Sequence, residues 1–145
     1  MNALQPRDII FHFTGITEPE KAKYIVVLTC ESLSNNTEYY YEVLLINSEI
    51  REKYKDNSDA LYCQVELFVS DVYSFLGHQS YLDCWFKGQL FHSDIESDFS
   101  TNSHHRVVGR LSDEDVIEVI RRINIADSYS PRDRSRIARA LKGII

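Results

Sequence analysis

Residues 106–120, Arg-Val-Val-Gly-Arg-Leu-Ser-Asp-Glu-Asp-Val-Ile-Glu-Val-Ile, constrain the fold more than any other part of this chain. They read as a strand end, a turn and a helix with a sharply marked start. Ser112 is spaced to accept the backbone N–H of Asp115, and Asp113, Glu114 and Asp115 put negative charge where the helix dipole is positive. Behind that cap, Val116, Val119, Ile120 and Ile123 recur at helical spacing and form one apolar face. A helix of this kind, arriving late in a chain of strands, docks against a sheet.

The strands precede it. Residues 8–13 are dense in branched and aromatic side chains, as a strand requires. A polar loop with Gly and Pro follows. Residues 23–30 form a second strand, apolar enough at its centre to be buried on both faces. Ser34-Asn35-Asn36-Thr37 has hairpin-turn composition, so residues 38–46 should return antiparallel, with Tyr39, Tyr41, Val43 and Leu45 on one face. A charged segment then holds a possible helical turn over 49–54. Alternation over 60–67 predicts a half-buried strand, 69–75 reads as a short helix or irregular connection, and 80–86 and 89–91 read as two more strands. Residues 93–105 are polar and read as a loop. After the capped helix, Ser130 and Pro131 open a second one with a proline at its first position. Ile137, Leu141 and Ile144 are expected on its apolar side. Short strands joined by hairpins, then helices, predict a mainly β fold, a small antiparallel barrel with C-terminal helices.

Composition sets the outer bounds. A chain of 145 residues with 43% hydrophobic residues suits one domain with a real core. The longest purely aliphatic run, residues 25–28, is far too short to span a bilayer, and the N-terminus lacks signal-peptide character. Three widely spaced cysteines, Cys30, Cys63 and Cys84, suggest reduced thiols and a cytoplasmic setting. No Cys/His spacing suits zinc, so neither a metal nor a cofactor is expected. The net charge of −6 is uneven: residues 1–105 carry −9 and residues 106–145 carry +3. An acidic chain is a poor generic nucleic-acid binder, although a local basic surface can still hold a short strand.

Three stretches carry a resemblance to a known family. Asp8-Ile9-Ile10, with the later Gly15-Ile16-Thr17-Glu18 and residues 23–29, resembles the opening strand, loop and "RPAVVLS" strand of the MazF/PemK/Kid toxin endoribonucleases from bacterial toxin–antitoxin pairs. Ser80-Tyr81-Leu82-Asp83-Cys84 resembles a "SYVDC" strand in one branch of that family. Residues 108–115 resemble its closing "GRLS" strand and helix cap. The resemblance implies an SH3-like barrel with a terminal helix, a homodimer, and a cognate antitoxin that blocks the RNA groove. Its implied chemistry is metal-free cleavage of single-stranded RNA, in which the ribose 2′-hydroxyl attacks the adjacent phosphorus. By the same resemblance the whole chain is one MazF/PemK-like domain, with residues 130–145 as an accessory helix that packs on the barrel or enlarges a dimer contact.

By position, the family's catalytic arginine falls on Lys23 and its hydroxyl residue on Ser48. The lysine supplies charge without the bidentate fork of arginine, and Tyr24 stands where the family has proline. The other reading of Lys23 is a solvated residue leading into a buried strand, and of Ser48 a cap for the following turn. Arg51 is a candidate substitute for the missing arginine. Asp83 is a candidate general base with a pKa raised by burial, or a hydrogen-bonded aspartate on the solvent side. Alternation groups Tyr81, Asp83 and Trp85 on one face, where the two aromatics can stack on bases or fill a core or interface. His78 precedes that strand and can face the groove. His12 reads as structural, and His104 and His105 form no metal pair. Arg132, Arg134, Arg136, Arg139 and Lys142 can meet RNA or an acidic antitoxin, or form a solvated helix face. The leading expectation is therefore an endoribonuclease toxin. The alternative is a non-catalytic interaction module that retained the same barrel.

Overall fold

The computed structural model describes residues 1–16, 21–33 and 38–144. The expected hairpin turn at 34–37 and part of the preceding polar loop lie outside the described residues. Strands β1 (Asp8–Thr14), β2 (Lys21–Ser32), β3 (Tyr39–Asn47), β4 (Gln64–Leu67), β5 (Ser80–Asp83), β6 (Gly88–Phe91) and β7 (Arg106–Arg110) form one antiparallel sheet. Its order is β4-β5-β3-β2-β1-β7, with β6 also pairing β3. The long β3 thus has two short partners on one side, β6 along Tyr40–Val43 and β5 along Ile46 and Asn47. Register shifts between Val27 and Thr29, and between Ile9 and Ile10, mark irregularities that bend strands and increase twist. The sheet curls into a half-barrel, and the mainly β architecture with C-terminal helices is the one the sequence predicts.

Helices cover both faces of this sheet. α3 (Asp113–Ile123) and α4 (Pro131–Lys142) bury Val116, Val119, Ile123, Ile137 and Leu141 against Ile9, Val26, Leu28, Leu44, Ile46 and Leu82. The opposite face, with Ile10, Ile25, Val27, Tyr41, Val43 and Leu45, packs on Ile95 of α2 (His92–Thr101) and on Leu4. Residues 25–28 are fully buried because successive side chains enter different cores. Each fully buried aliphatic side chain contributes roughly 1.5–3 kcal/mol, so this strand is a major source of stability.

Both predicted caps form. Ser112 accepts from Asp115 N at 3.2 Å and Ser130 from Asp133 N at 3.1 Å, each stabilising its helix by about 1 kcal/mol. The apolar stripe of α4 stops before Ile144, which is 52% exposed. Gly143 adopts φ 74°, and its N–H and that of Ile144 turn back to the carbonyls of Ala140 and Arg139. That left-handed stop carries Ile144 out of the stripe.

Other segments depart from expectation. The polar stretch read as a loop contains α2, whose Ile95 is fully buried and whose Phe99, one turn on, packs against the same core. Its N-cap, Phe91, makes no side-chain bond, so the start carries no polar signature. The strand expected over 60–67 begins as the short helix α1 (Ser58–Tyr62), because Asn57 caps it through Ala60 N at 3.0 Å. Only Gln64–Leu67 pairs as β4. Likewise β5 ends at Asp83, whose carboxylate accepts Trp85 N at 3.0 Å and turns the chain. Among the described residues no helix is long and apolar enough to cross a membrane.

Candidate functional site

The first residues of β2 meet the last of β3 at one end of the curled sheet. Tyr24 pairs with Ile46, so Lys23 stands beside Asn47 on one flank and directly opposite His12 on the other. Lys23 Nζ donates to Asn47 Oδ1 at 2.6 Å. Burial pushes the lysine pKa below its ordinary value, and the nearby charges of Lys21 and Arg51 push the same way. The Nδ2 of Asn47 is buried and has no hydrogen-bond partner. A donor left in this state costs about 1–3 kcal/mol, so the amide is held in a geometry the protein alone does not satisfy.

Next to this pair lies a small pocket of about 190 Å³. Phe11, Tyr24, Ile46 and Leu76 supply its apolar lining, and Lys23, Ser48, His78 and Ser80 its polar one. Aromatic contacts hold its walls. Phe11 lies 4.8 Å from Tyr24 and Tyr24 lies 4.9 Å from Phe75, ring centre to ring centre. The Tyr24 hydroxyl donates to Phe75 O at 3.2 Å. The tyrosine that replaces the family's proline therefore ties the 75–78 segment to β2. Gly109 completes the support: a Cβ there would meet Phe75 Cε1 at 3.0 Å.

The fold thus gathers Lys23, Ser48 and His78 around one pocket. Ser48 is exposed there and does not cap the next turn. That turn, Glu52–Tyr54, has Arg51 at its N-cap with no side-chain bond. Arg51 is exposed, with its guanidinium carbon 5.7 Å from the centre of the Tyr54 ring, and its charge reaches Lys23. His78 is exposed, with its Nδ1 2.9 Å from Gln79 O. Tyr81 is half-buried and sits opposite Asn47 on β5, two strands from Lys23.

Asp83 and Trp85 do not join them, which corrects the expected 81–83–85 face. Asp83 is 2% exposed and lies on the interior rather than toward solvent. Its carboxylate accepts from Tyr54 Oη at 2.8 Å, Gln64 Nε2 at 2.9 Å and Trp85 N. The turn made by that last bond carries Trp85 against the larger core, where its carbonyl accepts from Ser128. Alternation fails here because the strand ends at Asp83.

The basic C-terminal helix is also only partly a solvated face. Arg136 pairs with Glu31, Glu42 and Asp133, and Arg134 donates to Ala126 O at 2.9 Å. All three cysteines are free thiols, Cys63 and Cys84 buried and Cys30 exposed. Among the described residues no group of three or more His, Cys, Asp or Glu side chains is placed to hold a metal ion.

Sequence reasoning missed two features of the site. Asn47 ends a strand as an unremarkable polar residue, and only the β2–β3 register places it against Lys23. His12 and His105 are far apart in sequence, and only the β1–β7 pairing brings them to one carboxylate, that of Asp98. No protein-family model matches the chain, and no curated protein sequence matches it.

Proposed function

We propose that this chain is the toxin of a toxin–antitoxin pair, a MazF/PemK-like endoribonuclease that cleaves single-stranded RNA without a metal ion. In this reading it works in the cytoplasm as a homodimer and is restrained by a cognate antitoxin. The observation that carries the proposal is Lys23, a half-buried cation at a pocket shared with Ser48 and His78, tethered to a neutral amide. A cation so placed stabilises the charge that develops on a phosphorane, and a low-dielectric setting strengthens the effect. Ser48 supplies a hydroxyl to a phosphoryl oxygen, Arg51 adds positive potential, and Tyr81 offers a face for a base.

One observation favours a second reading, a non-catalytic interaction module on the same barrel. The carboxylate expected as general base, Asp83, is enclosed by Tyr54, Gln64 and Trp85. Incubating the purified protein with long single-stranded RNA in EDTA separates the two. Cleavage that Lys23→Ala lowers by at least about 100-fold supports the nuclease. RNA left intact at high protein excess sinks it and leaves the module.

A further inference from the structure

With Asp83 enclosed, a nuclease at this pocket lacks a group to take the 2′-hydroxyl proton. The residues just before β7 supply one. Arg106 pairs with Phe11, and His105, one residue earlier, packs edge-on against the Phe11 ring at 5.1 Å. Phe11 lines the pocket that Lys23 also lines. His105 is therefore one ring away from the pocket, at the open edge of the sheet.

Its orientation is set from behind. His105 Nδ1 lies 2.9 Å from both oxygens of Asp98. Asp98 also receives His12 Nδ1 at 2.8 Å, Phe13 N–H at 3.3 Å and Asn102 Nδ2 at 2.8 Å. A carboxylate accepts only, so the Nδ1 facing it carries the proton and Nε2 keeps its lone pair. The two histidines differ in access: the side chain of His12 is 3% exposed and that of His105 is 15% exposed. His12 thus holds Asp98 from the interior, and His105 is the imidazole a substrate can reach.

We propose that His105 is the general base of this site, oriented by Asp98 as a positioning residue, with Lys23 on the leaving-group side. This rests on the ribonuclease reading. His105 and Lys23 flank His12 across two strand spacings, roughly 10 Å at the backbone. That leaves room for a phosphodiester between their side chains. In the step, Nε2 takes the 2′-hydroxyl proton as the 2′-oxygen bonds to phosphorus. The P–O5′ bond breaks, and O5′ takes a proton from the Lys23 ammonium. The products are a 2′,3′-cyclic phosphate and a 5′-hydroxyl end, and His105 and Lys23 return to their starting states through water.

The test measures single-turnover cleavage of single-stranded RNA between pH 5 and 9 for the wild type, His105→Asn and Asp98→Asn. The proposal expects His105→Asn to lose about 100-fold or more and to flatten the rise of rate with pH. Because Asp98 also ties α2 to the sheet, folding of each variant is checked by circular dichroism. A second measurement follows the His105 Cε1–H resonance of the wild type while a 2′-O-methyl oligoribonucleotide, which cannot react, is added. A shift of that resonance on binding supports contact. If the wild type cleaves RNA and folded His105→Asn cleaves with the same rate and pH profile, this assignment is overturned and the ribonuclease reading stands. If the wild type leaves RNA intact, both fall.

Discussion

Two charge-rich regions of this molecule invite comparison, the Lys23 pocket and the cluster that fastens α4 to the sheet. In the cluster, Glu42 is nearly buried on β3 and accepts Thr29 Oγ1 at 2.7 Å, both guanidinium ends of Arg136 and the ammonium of Lys87. Asp133 takes Arg136 at 2.8 Å and Lys87 at 3.4 Å, and Glu31 takes Arg136 at 2.6 Å. Burial raises the Glu42 pKa, but Arg136, Lys87 and Thr29 together outweigh it and hold the carboxyl below its ordinary range. Glu42 in turn leads the causes that raise the Arg136 pKa. At Lys23 the balance runs the other way. Burial and like charges lower the pKa, and the ammonium rests on a neutral amide with an unsatisfied donor behind it. Opposite charges that satisfy each other hold a fold together, whereas a cation kept from such a partner leaves its interaction for something that binds.

The contrast can be tested from both ends. Removing Arg136 leaves Glu42 buried without its main partner, so Arg136→Ala should lower the unfolding free energy by about 3 kcal/mol in urea titration. Lys23→Ala should cost only about 1 kcal/mol of stability, for one lost hydrogen bond, while abolishing cleavage. Equal destabilisation by the two variants would erase the distinction between them.

Acid should separate the regions again. Glu42 has a folded pKa below its unfolded value, so its contribution is present above about pH 4.5 and is lost as pH falls through the lower folded value. His12 behaves differently. Burial lowers its folded pKa, against the pull of Asp98 and Asp94, with His105 adding to the lowering. The unfolded chain then binds more protons as pH drops below about 6.5, and stability declines there. Thermal melts should therefore lose stability in two stages, and His12→Gln should flatten the first while Arg136→Met flattens the second. A smaller effect is expected at the end of α4. Gly143→Ala should cost about 1 kcal/mol in the same melts, because φ 74° suits glycine and strains alanine. No change there would show that the Gly143 stop does not limit the docking of α4.

Much of this architecture is written locally. The alternation of Tyr39, Tyr41, Val43 and Leu45, the four aliphatic residues of β2, and the caps at Ser112 and Ser130 each follow from chemistry within a few residues. They place the sheet and its two C-terminal helices without any knowledge of the rest. Of the site, Lys23, Ser48 and His78 are legible as positions, and the fold gathers them at one pocket. Helix α2 was hidden because its apolar anchors, Ile95 and Phe99, are only two among polar neighbours. Its stability comes from the core it meets rather than from its own pattern.

What the tertiary structure alone decides is the pairing of groups remote in sequence. The capped helix at 113–123 predicts that a sheet exists, but not which face of that sheet it covers. The β1–β7 register sets His105 beside Phe11 and Asp98, and β2–β3 sets Lys23 against Asn47. The turn at Asp83 sends one expected site residue into the interior. Helix periods and caps act over three or four residues, so a sequence displays them. Cross-strand contacts depend on register across gaps of tens of residues, and only the packed sheet determines it.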